Sequence, residues 1–299
     1  MPRLTGGQAV VQTLFAEGVD TVFGIPGSHS LSIYDALLDT PGIRHVLVRH
    51  EQGAAFMADG YARSTGRLGV CLTTTGPAAL NTFAALATSY GDSCPVLLLC
   101  TQIPSDYIDQ GKGVYHEVPD QLGMLERVTG FSARATSVAG IVAKLQAAIR
   151  KAQSGRPRPV ALELPVDVLD AAGEVTIPEV PRPIRQTPGG DEIAKTADLI
   201  GKSERPIIWA GGGVVSSGAC AELAQLSETL QAPVLTTNLG KGALPADHPL
   251  HLGNLSGQAP VRDYLKGCDL LVAVGTRFSY LGTDRWTLQL PESIIHIDI

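Results

Sequence analysis

Short apolar runs alternate with helix-patterned segments along most of this chain, and few folds accommodate that order. Gly7–Gly18 places Val10, Val11, Leu14 and Phe15 at helical spacing. Thr21–Ile25 is a β-branched and aromatic run, broken by Pro26-Gly27. The pattern then predicts helix Leu31–Leu38, strand Ile43–Val48, helix Glu51–Ser64 and strand Leu68–Thr73. Helix Ala78–Tyr90, strand Val96–Thr101, helix Val138–Gln153 and strand Pro159–Leu164 follow. Such alternation with short connections predicts an α/β fold, a parallel sheet covered by helices. Val96–Thr101 has no polar-out alternation, as expected of a strand buried on both faces. Residues 104–123 interrupt the pattern with a Gly-rich, polar segment, and a loop of that length inside a domain is usually functional.

Residues 171–190 carry four prolines and end in Gly-Gly, with neither a helical nor a strand period. They predict a semi-rigid linker between a first domain, residues 1–170, and a second, residues 191–299. The second domain alternates again. Its expected elements are helix Asp191–Ile200, strand Pro206–Ala210, helix Ala219–Leu230, strand Pro233–Thr236, helix Pro260–Lys266 and strands Asp269–Val274 and Ser293–Ile299. The chain stops at that last strand, which suggests a piece of something longer.

Composition removes whole classes. Hydrophobic residues make up 44% and charged residues 17%, enough apolar material for packed cores and against disorder. Net charge is -6 and no Lys/Arg-rich run occurs, so no nucleic-acid partner is expected. The apolar runs are too short to span a bilayer, so no membrane is expected either. MPRLTGGQAV lacks a secretory apolar core, and the expectation is a cytoplasmic protein. The cysteines Cys71, Cys94, Cys100, Cys220 and Cys268 are scattered and form no C-x-x-C pair. They read as small buried hydrophobes, not as a zinc site or a disulfide framework.

Several turns are rich in glycine. Gly211-Gly212-Gly213 follows a strand and precedes a helix, but a dinucleotide fingerprint starting there meets Ser216 at its third glycine. Strand Pro233–Thr236 runs into Thr237-Asn238, with no acid for a ribose hydroxyl. A hydride-transfer enzyme is therefore disfavoured. A backbone cradle for a nucleotide phosphate and a plain tight turn both remain open. Gly240-Lys241-Gly242 lacks the spacing of a phosphate-binding P-loop. In the first domain, Gly24-Ile25-Pro26-Gly27-Ser28-His29 and Thr75-Gly76-Pro77 both follow strands, at the ends where parallel sheets bind ligands.

Glu51, standing alone, reads as a carboxylate favoured at a helix N-terminus. Its context is more specific. RHEQGAAFMADGYARSTG closely resembles the cofactor-glutamate helix of thiamine-diphosphate-dependent enzymes of the acetolactate synthase type. GGQAVVQTLFAEGVDTVFGIPG, GVCLTTTGPAALNTFAALATSYGDSCPVLLL and RPRPVALELPVDV agree with that family's first domain. RPIIWAGGGV, APVLTTNLGKGALPADHPLHLGNLS and CDLLVAVGTRFS resemble its central domain.

The resemblance implies a pyrimidine-binding domain followed by a Rossmann-like central domain. It implies thiamine diphosphate with Mg2+ as cofactor and a small 2-oxo acid as substrate. It also implies a homo-oligomer, dimer or tetramer, that shares the cofactor site between subunits. Glu51 would hydrogen-bond the pyrimidine ring nitrogen, with Ala54, Phe56 and Met57 expected to bury it. Pro26, Gly27, Ser28, Thr75, Gly76, Pro77 and Asn81 would line the cofactor, and His29 and His116 would move protons beside it. Some members bind FAD or ADP in the central domain, for which Gly211, Gly212, Gly213 and Arg277 are the candidates. The metal and diphosphate ligands of the family lie in a Gly-Asp-Gly motif that does not occur here.

Ala78 replaces the second glycine of the family's G-P-G-x-x-N turn, and two further stretches depart from the synthases. Ser28-His29 stands where they carry small residues, and Lys112-Gly113-Val114-Tyr115-His116-Glu117 stands where they carry a phenylalanine and a Gln-Glu pair. Both look more like decarboxylases of 5-guanidino-2-oxopentanoate. Asp106, Asp109 and Glu117 are then candidate partners for a guanidinium. Three functions follow: a decarboxylase and carboligase, a decarboxylase without carboligation, or a non-catalytic nucleotide-binding or regulatory module.

Overall fold

A computed structural model describes residues 2–179 and 187–299. The chain divides into two compact units, Met1–Pro183 and Ile184–Ile299. Residues 180–186 of the expected linker lie outside the described residues. The linker stretch opens on a short strand, Ala172–Glu174, which pairs antiparallel with Arg3–Thr5.

The first unit is built on six parallel strands. Their order across the sheet is Arg44–Leu47, Thr21–Gly24, Gly69–Thr73, Val96–Gln102, Val160–Pro165, Phe131–Arg134. Gly69–Thr73, Val96–Gln102 and Val160–Pro165 are buried along their whole length. Successive side chains alternate between two cores. Leu72, Leu97, Leu99, Leu162 and Leu164 fill one, and Cys71, Leu98, Cys100 and Ala161 the other. The helix Gly6–Ala16 starts on a capping box between Thr5 and Gln8. Helix Glu51–Thr65 begins where the His50 side chain accepts the Gln52 amide and ends at Gly66 in the left-handed conformation.

The expected helix Ala78–Tyr90 is two helices, Pro77–Leu80 and Phe83–Asp92. Pro77 starts the first, since it needs no N–H donor there. The Thr82 hydroxyl donates to the Ala79 carbonyl at 2.7 Å, an alternative to regular helix pairing that falls at the break. The break leaves Asn81 on the surface. The strands Arg3–Thr5, Ala172–Glu174, Phe131–Arg134 and His251–Gly253 were not predicted. Each is three or four residues long and lies at a sheet edge, where pairing partners and not an apolar run define the strand.

The second unit is a five-stranded parallel sheet ordered His251–Gly253, Val234–Thr236, Pro206–Ala210, Leu270–Val274, Ser293–Ile297. In chain order this is 3-2-1-4-5, the Rossmann-like arrangement. Ile208, Ala210 and Val272 pack on one face, and Ile207, Trp209, Leu271 and Ala273 on the other. Among the described residues, no helix is long and apolar enough to cross a membrane.

Candidate functional site

The first sheet reverses strand order twice, once at each end, and the first reversal separates Thr21–Gly24 from Gly69–Thr73. From Thr21–Gly24 the chain moves outward to Arg44–Leu47, then returns to Gly69–Thr73 on the other side. Loops leaving the carboxyl ends of Thr21–Gly24 and Gly69–Thr73 diverge there and leave a crevice. Both glycine turns singled out in the sequence sit at that point.

Pro26 and Ser28 are exposed, and Gly27 and His29 are partly buried. The turn is fixed by Ser30, whose hydroxyl accepts the Gly27 N–H and donates to the Gly27 carbonyl, both at 3.0 Å. His29 Nδ1 lies 2.9 Å from Thr75 Oγ1, which joins the two turns. Thr75 Oγ1 is in turn 2.9 Å from Thr101 Oγ1. Burial first, and then the neighbouring His116, push the His29 imidazole below its ordinary pKa. The rings of His29 and His116 are 6.4 Å apart, and Tyr115 stacks on His116 at 3.9 Å. His116 Nδ1 is buried without a hydrogen-bond partner.

Glu51 is the first residue of its helix and is half-buried. Asn81 Nδ2 donates to Glu51 Oε2 at 2.9 Å, and Oε1 carries no hydrogen bond among the described residues. The Glu51 helix is clamped further on to Phe83–Asp92, the helix that follows Asn81. Arg63 bonds Asp59 at 2.5 Å and Asp92 at 3.0 Å, and Ser89 donates to Asp59 at 2.6 Å. Burial of Glu51 is expected once a cofactor closes the pocket; in the chain alone Phe56 and Met57 are 43% and 47% exposed. Helix geometry explains this: positions three and four residues on, Ala54 and Ala55, share the Glu51 face, and positions five and six do not.

Gly76 has φ +59 and ψ -113, and a Cβ there would stand 2.1 Å from the His116 carbonyl oxygen. The turn and the loop 110–121 are therefore in direct backbone contact. The Gly76 N–H donates to Gln121 Oε1 at 2.7 Å, so it is spent inside the protein. Glu117 is likewise occupied. Its carboxylate accepts the amides of Gly111, Gly113 and Val114 at 2.7 to 3.0 Å, folding its own loop. Asp109 accepts the Asp120 amide at 3.0 Å. Of the three acids considered for a guanidinium, Asp106 alone has no carboxylate bond among the described residues.

Sequence reasoning missed the support beneath this site. Gln121 Nε2 donates to Glu163 Oε1 at 2.8 Å and to the Thr101 carbonyl at 3.1 Å. Gln102 also donates to Glu163, at 3.0 Å, and Arg134 pairs with its other oxygen. Glu163 is wholly buried. Burial pushes its carboxyl above the ordinary value of 4.5, against the pull of Arg134. Charging Glu163 thus weakens the folded state. The stability it contributes is complete below the unfolded pKa and is lost as pH rises through the folded one. Arg134→Met should widen that gap. It should cost about 3 kcal/mol at pH 7.5 and far less near pH 4.5, measured against the unsubstituted protein by urea unfolding. A loss equal at both pH values would contradict the pairing.

In the second unit, the candidate nucleotide turn follows strand Pro206–Ala210. A Cβ on Gly211 would stand 2.0 Å from the Gly275 carbonyl oxygen, and one on Gly213 would stand 2.5 Å from Gly275 Cα. A Cβ on Gly212 would stand 2.9 Å from the Leu239 Cβ. All three glycines thus allow close approach to neighbouring turns of the protein itself. Arg277 is exposed, three residues past strand Leu270–Val274. Among the described residues, no group of three or more His, Cys, Asp and Glu side chains is placed to hold a metal ion.

Two family profiles match the chain. The thiamine pyrophosphate enzyme N-terminal TPP binding domain matches residues 4–124, and the thiamine pyrophosphate enzyme central domain matches residues 193–299. A probable acetolactate synthase large subunit of Methanocaldococcus jannaschii is 42% identical over 308 residues, covering 99% of this chain and 51% of that protein. A probable 2-ketoarginine decarboxylase of Pseudomonas aeruginosa is 43% identical over 300 residues, covering 99% and 53%. An acetolactate synthase of Arthrospira platensis is 38% identical over 315 residues, covering 99% and 53%. The chain spans about half the length of these relatives.

Proposed function

The chain belongs to the thiamine pyrophosphate enzymes, and from that premise we propose that it carries the pyrimidine side of the active site of a 2-oxo acid decarboxylase and carboligase of the acetolactate synthase type. The observation that supports this most is Glu51, tethered through one oxygen by Asn81 and open at the other. An open carboxylate oxygen at the mouth of the switch-point crevice fits a ring nitrogen that must gain or share a proton. Thiamine diphosphate, when bound, supplies a carbon nucleophile toward the substrate carbonyl and an electron sink for the pair left when carbon dioxide departs. The chain's own part is narrower. Glu51 holds or shares a proton at Oε1, and Asn81 fixes its direction. Gly27 lets its turn close on Thr74, Gly76 lets the second turn close on the loop 110–121, and His29 and His116 hold polar atoms near the reacting end.

The metal, the oligomer and the cytoplasmic location belong to the same reading through family likeness. A nucleotide in the second unit is its weakest part, because Gly211, Gly212 and Gly213 are engaged in internal packing. A flavin absorbance band in the purified protein would restore it.

A second reading has its own support. The paired rings of His29 and His116, with Asp106 available for a cation, suit release of an aldehyde from a guanidino 2-oxo acid. Product analysis of the complete protein separates the two. Acetolactate from pyruvate supports the first reading. Carbon dioxide and an aldehyde from 5-guanidino-2-oxopentanoate, with no acetolactate from pyruvate, support the second. Turnover of neither substrate overturns both.

A further inference from the structure

His29 does not stand alone at the crevice. Its Nδ1 is 2.9 Å from Thr75 Oγ1, Thr75 Oγ1 is 2.9 Å from Thr101 Oγ1, and Thr101 Oγ1 is 3.4 Å from Thr74 Oγ1. The three threonines are all buried, Thr75 and Thr101 completely. The row has three links and its hydroxyls own three hydrogens, so a hydrogen on Nδ1 leaves one unused whichever way the row runs. If it runs from His29 inward, Nδ1–H donates to Thr75, Thr75 to Thr101 and Thr101 to Thr74. The Thr74 hydrogen then has no acceptor among the described residues. If it runs outward, Thr74 donates to Thr101, Thr101 to Thr75 and Thr75 to His29 Nδ1, and every hydrogen is used. A buried donor left unmet is costly enough to bias the two arrangements by about tenfold.

We propose that Thr75 is a positioning residue that holds His29 as its Nε2–H tautomer, a neutral donor aimed at an oxygen of the 2-oxo acid. The substrate half of this statement rests on the function proposed above; the tautomer does not. Nε2 has no hydrogen-bond partner among the described residues, so its N–H is available to a ligand. Charging the ring would require Thr75 to turn and accept, which reverses the row and strands the Thr74 hydrogen. The groups facing His29 act the same way. Tyr115 and His116 stand nearly perpendicular to the His29 ring at 6.2 and 6.4 Å, and among the described residues no carboxylate bonds the imidazole. His29 in this setting is a donor that does not give up its proton easily, unlike the proton carrier expected from sequence.

The test needs no turnover. Long-range proton–nitrogen NMR of the 15N-labelled chain at pH 7.5, with the His29 signals assigned by their loss in His29→Asn, should show Nδ1 bare and Nε2 protonated. Thr75→Val removes the hydroxyl bonded to Nδ1 and leaves the imidazole itself unchanged. It should mix the tautomers and raise the His29 pKa by about half a unit to one unit, and Thr75→Ser should restore the wild-type spectrum. A proton on Nδ1 in the wild-type chain would overturn the proposal, as would an unchanged His29 spectrum in folded Thr75→Val. A complete protein that turns over no 2-oxo acid would overturn the proposed function and leave the tautomer result standing.

Discussion

Glu51→Gln should lower turnover of the complete protein by about 10²–10⁴-fold, with folding and cofactor affinity nearly intact. The substitution is nearly isosteric. An amide oxygen can still accept from Asn81, now 2.9 Å from Glu51 Oε2, so the tether survives. What disappears is the ability to hold and return a proton at the other oxygen. Stability should therefore change by less than about 0.5 kcal/mol, since the side chain sits at an exposed edge and fills no core. Asn81→Ala makes the complementary change. It keeps the carboxylate and removes its tether, and it should cost about tenfold in turnover. Steady-state rates with 2-oxo acid, alongside calorimetric titration with thiamine diphosphate, separate these effects. Full activity in Glu51→Gln would remove Glu51 from the chemistry. A loss explained wholly by weaker cofactor binding would reduce it to a binding group.

Much of this site was legible because it lies where local signals are strong. The strand run Val96–Thr101 and the break at Pro26-Gly27 place ligand loops at sheet ends before any coordinates are seen. The Glu51 helix is legible from its residues and from family likeness together. What stayed hidden depends on distant chain segments meeting. Gln121 is an ordinary polar residue in its own neighbourhood, and its importance arises 45 positions away, at the Gly76 amide. Glu163 did leave a trace: it is the one charge inside the apolar run VALELP. A buried strand tolerates such a charge only when partners await it, and here Gln102, Gln121 and Arg134 supply them. The internal engagement of Glu117 and of Gly211–Gly213 stayed hidden for a related reason. Acidic and glycine-rich loops look like ligand sites, yet their donors and spaces are consumed by backbone contacts that only the folded chain reveals.

Those hidden contacts lead to the largest expected effect on folding, at Gly76. Two independent costs meet in Gly76→Ala. The backbone conformation there, φ +59 with ψ -113, is one that side-chain-bearing residues rarely adopt, a strain of about 1–3 kcal/mol. The added methyl would also stand 2.1 Å from the His116 carbonyl oxygen, a backbone atom with little freedom to retreat. Relieving that overlap must move the turn, the loop, or both, adding about 1–3 kcal/mol. The bond from the Gly76 N–H to Gln121 would loosen with it, and through Gln121 so would the anchoring to Glu163. The total should reach about 3–5 kcal/mol by urea unfolding of the chain. Gly113 provides the control. Its φ is +72, also positive, but nothing lies within 4 Å of a Cβ built there. Gly113→Ala should therefore cost only about 1 kcal/mol. Equal losses in the two variants would mean that the Gly76–His116 contact does not constrain the fold. A much larger loss at Gly76, together with a changed His116 signal in NMR spectra, would establish that the Gly76 turn and the His116 loop are structurally coupled. His116 would then be held in place by a glycine whose own amide is bonded inside the protein, to Gln121.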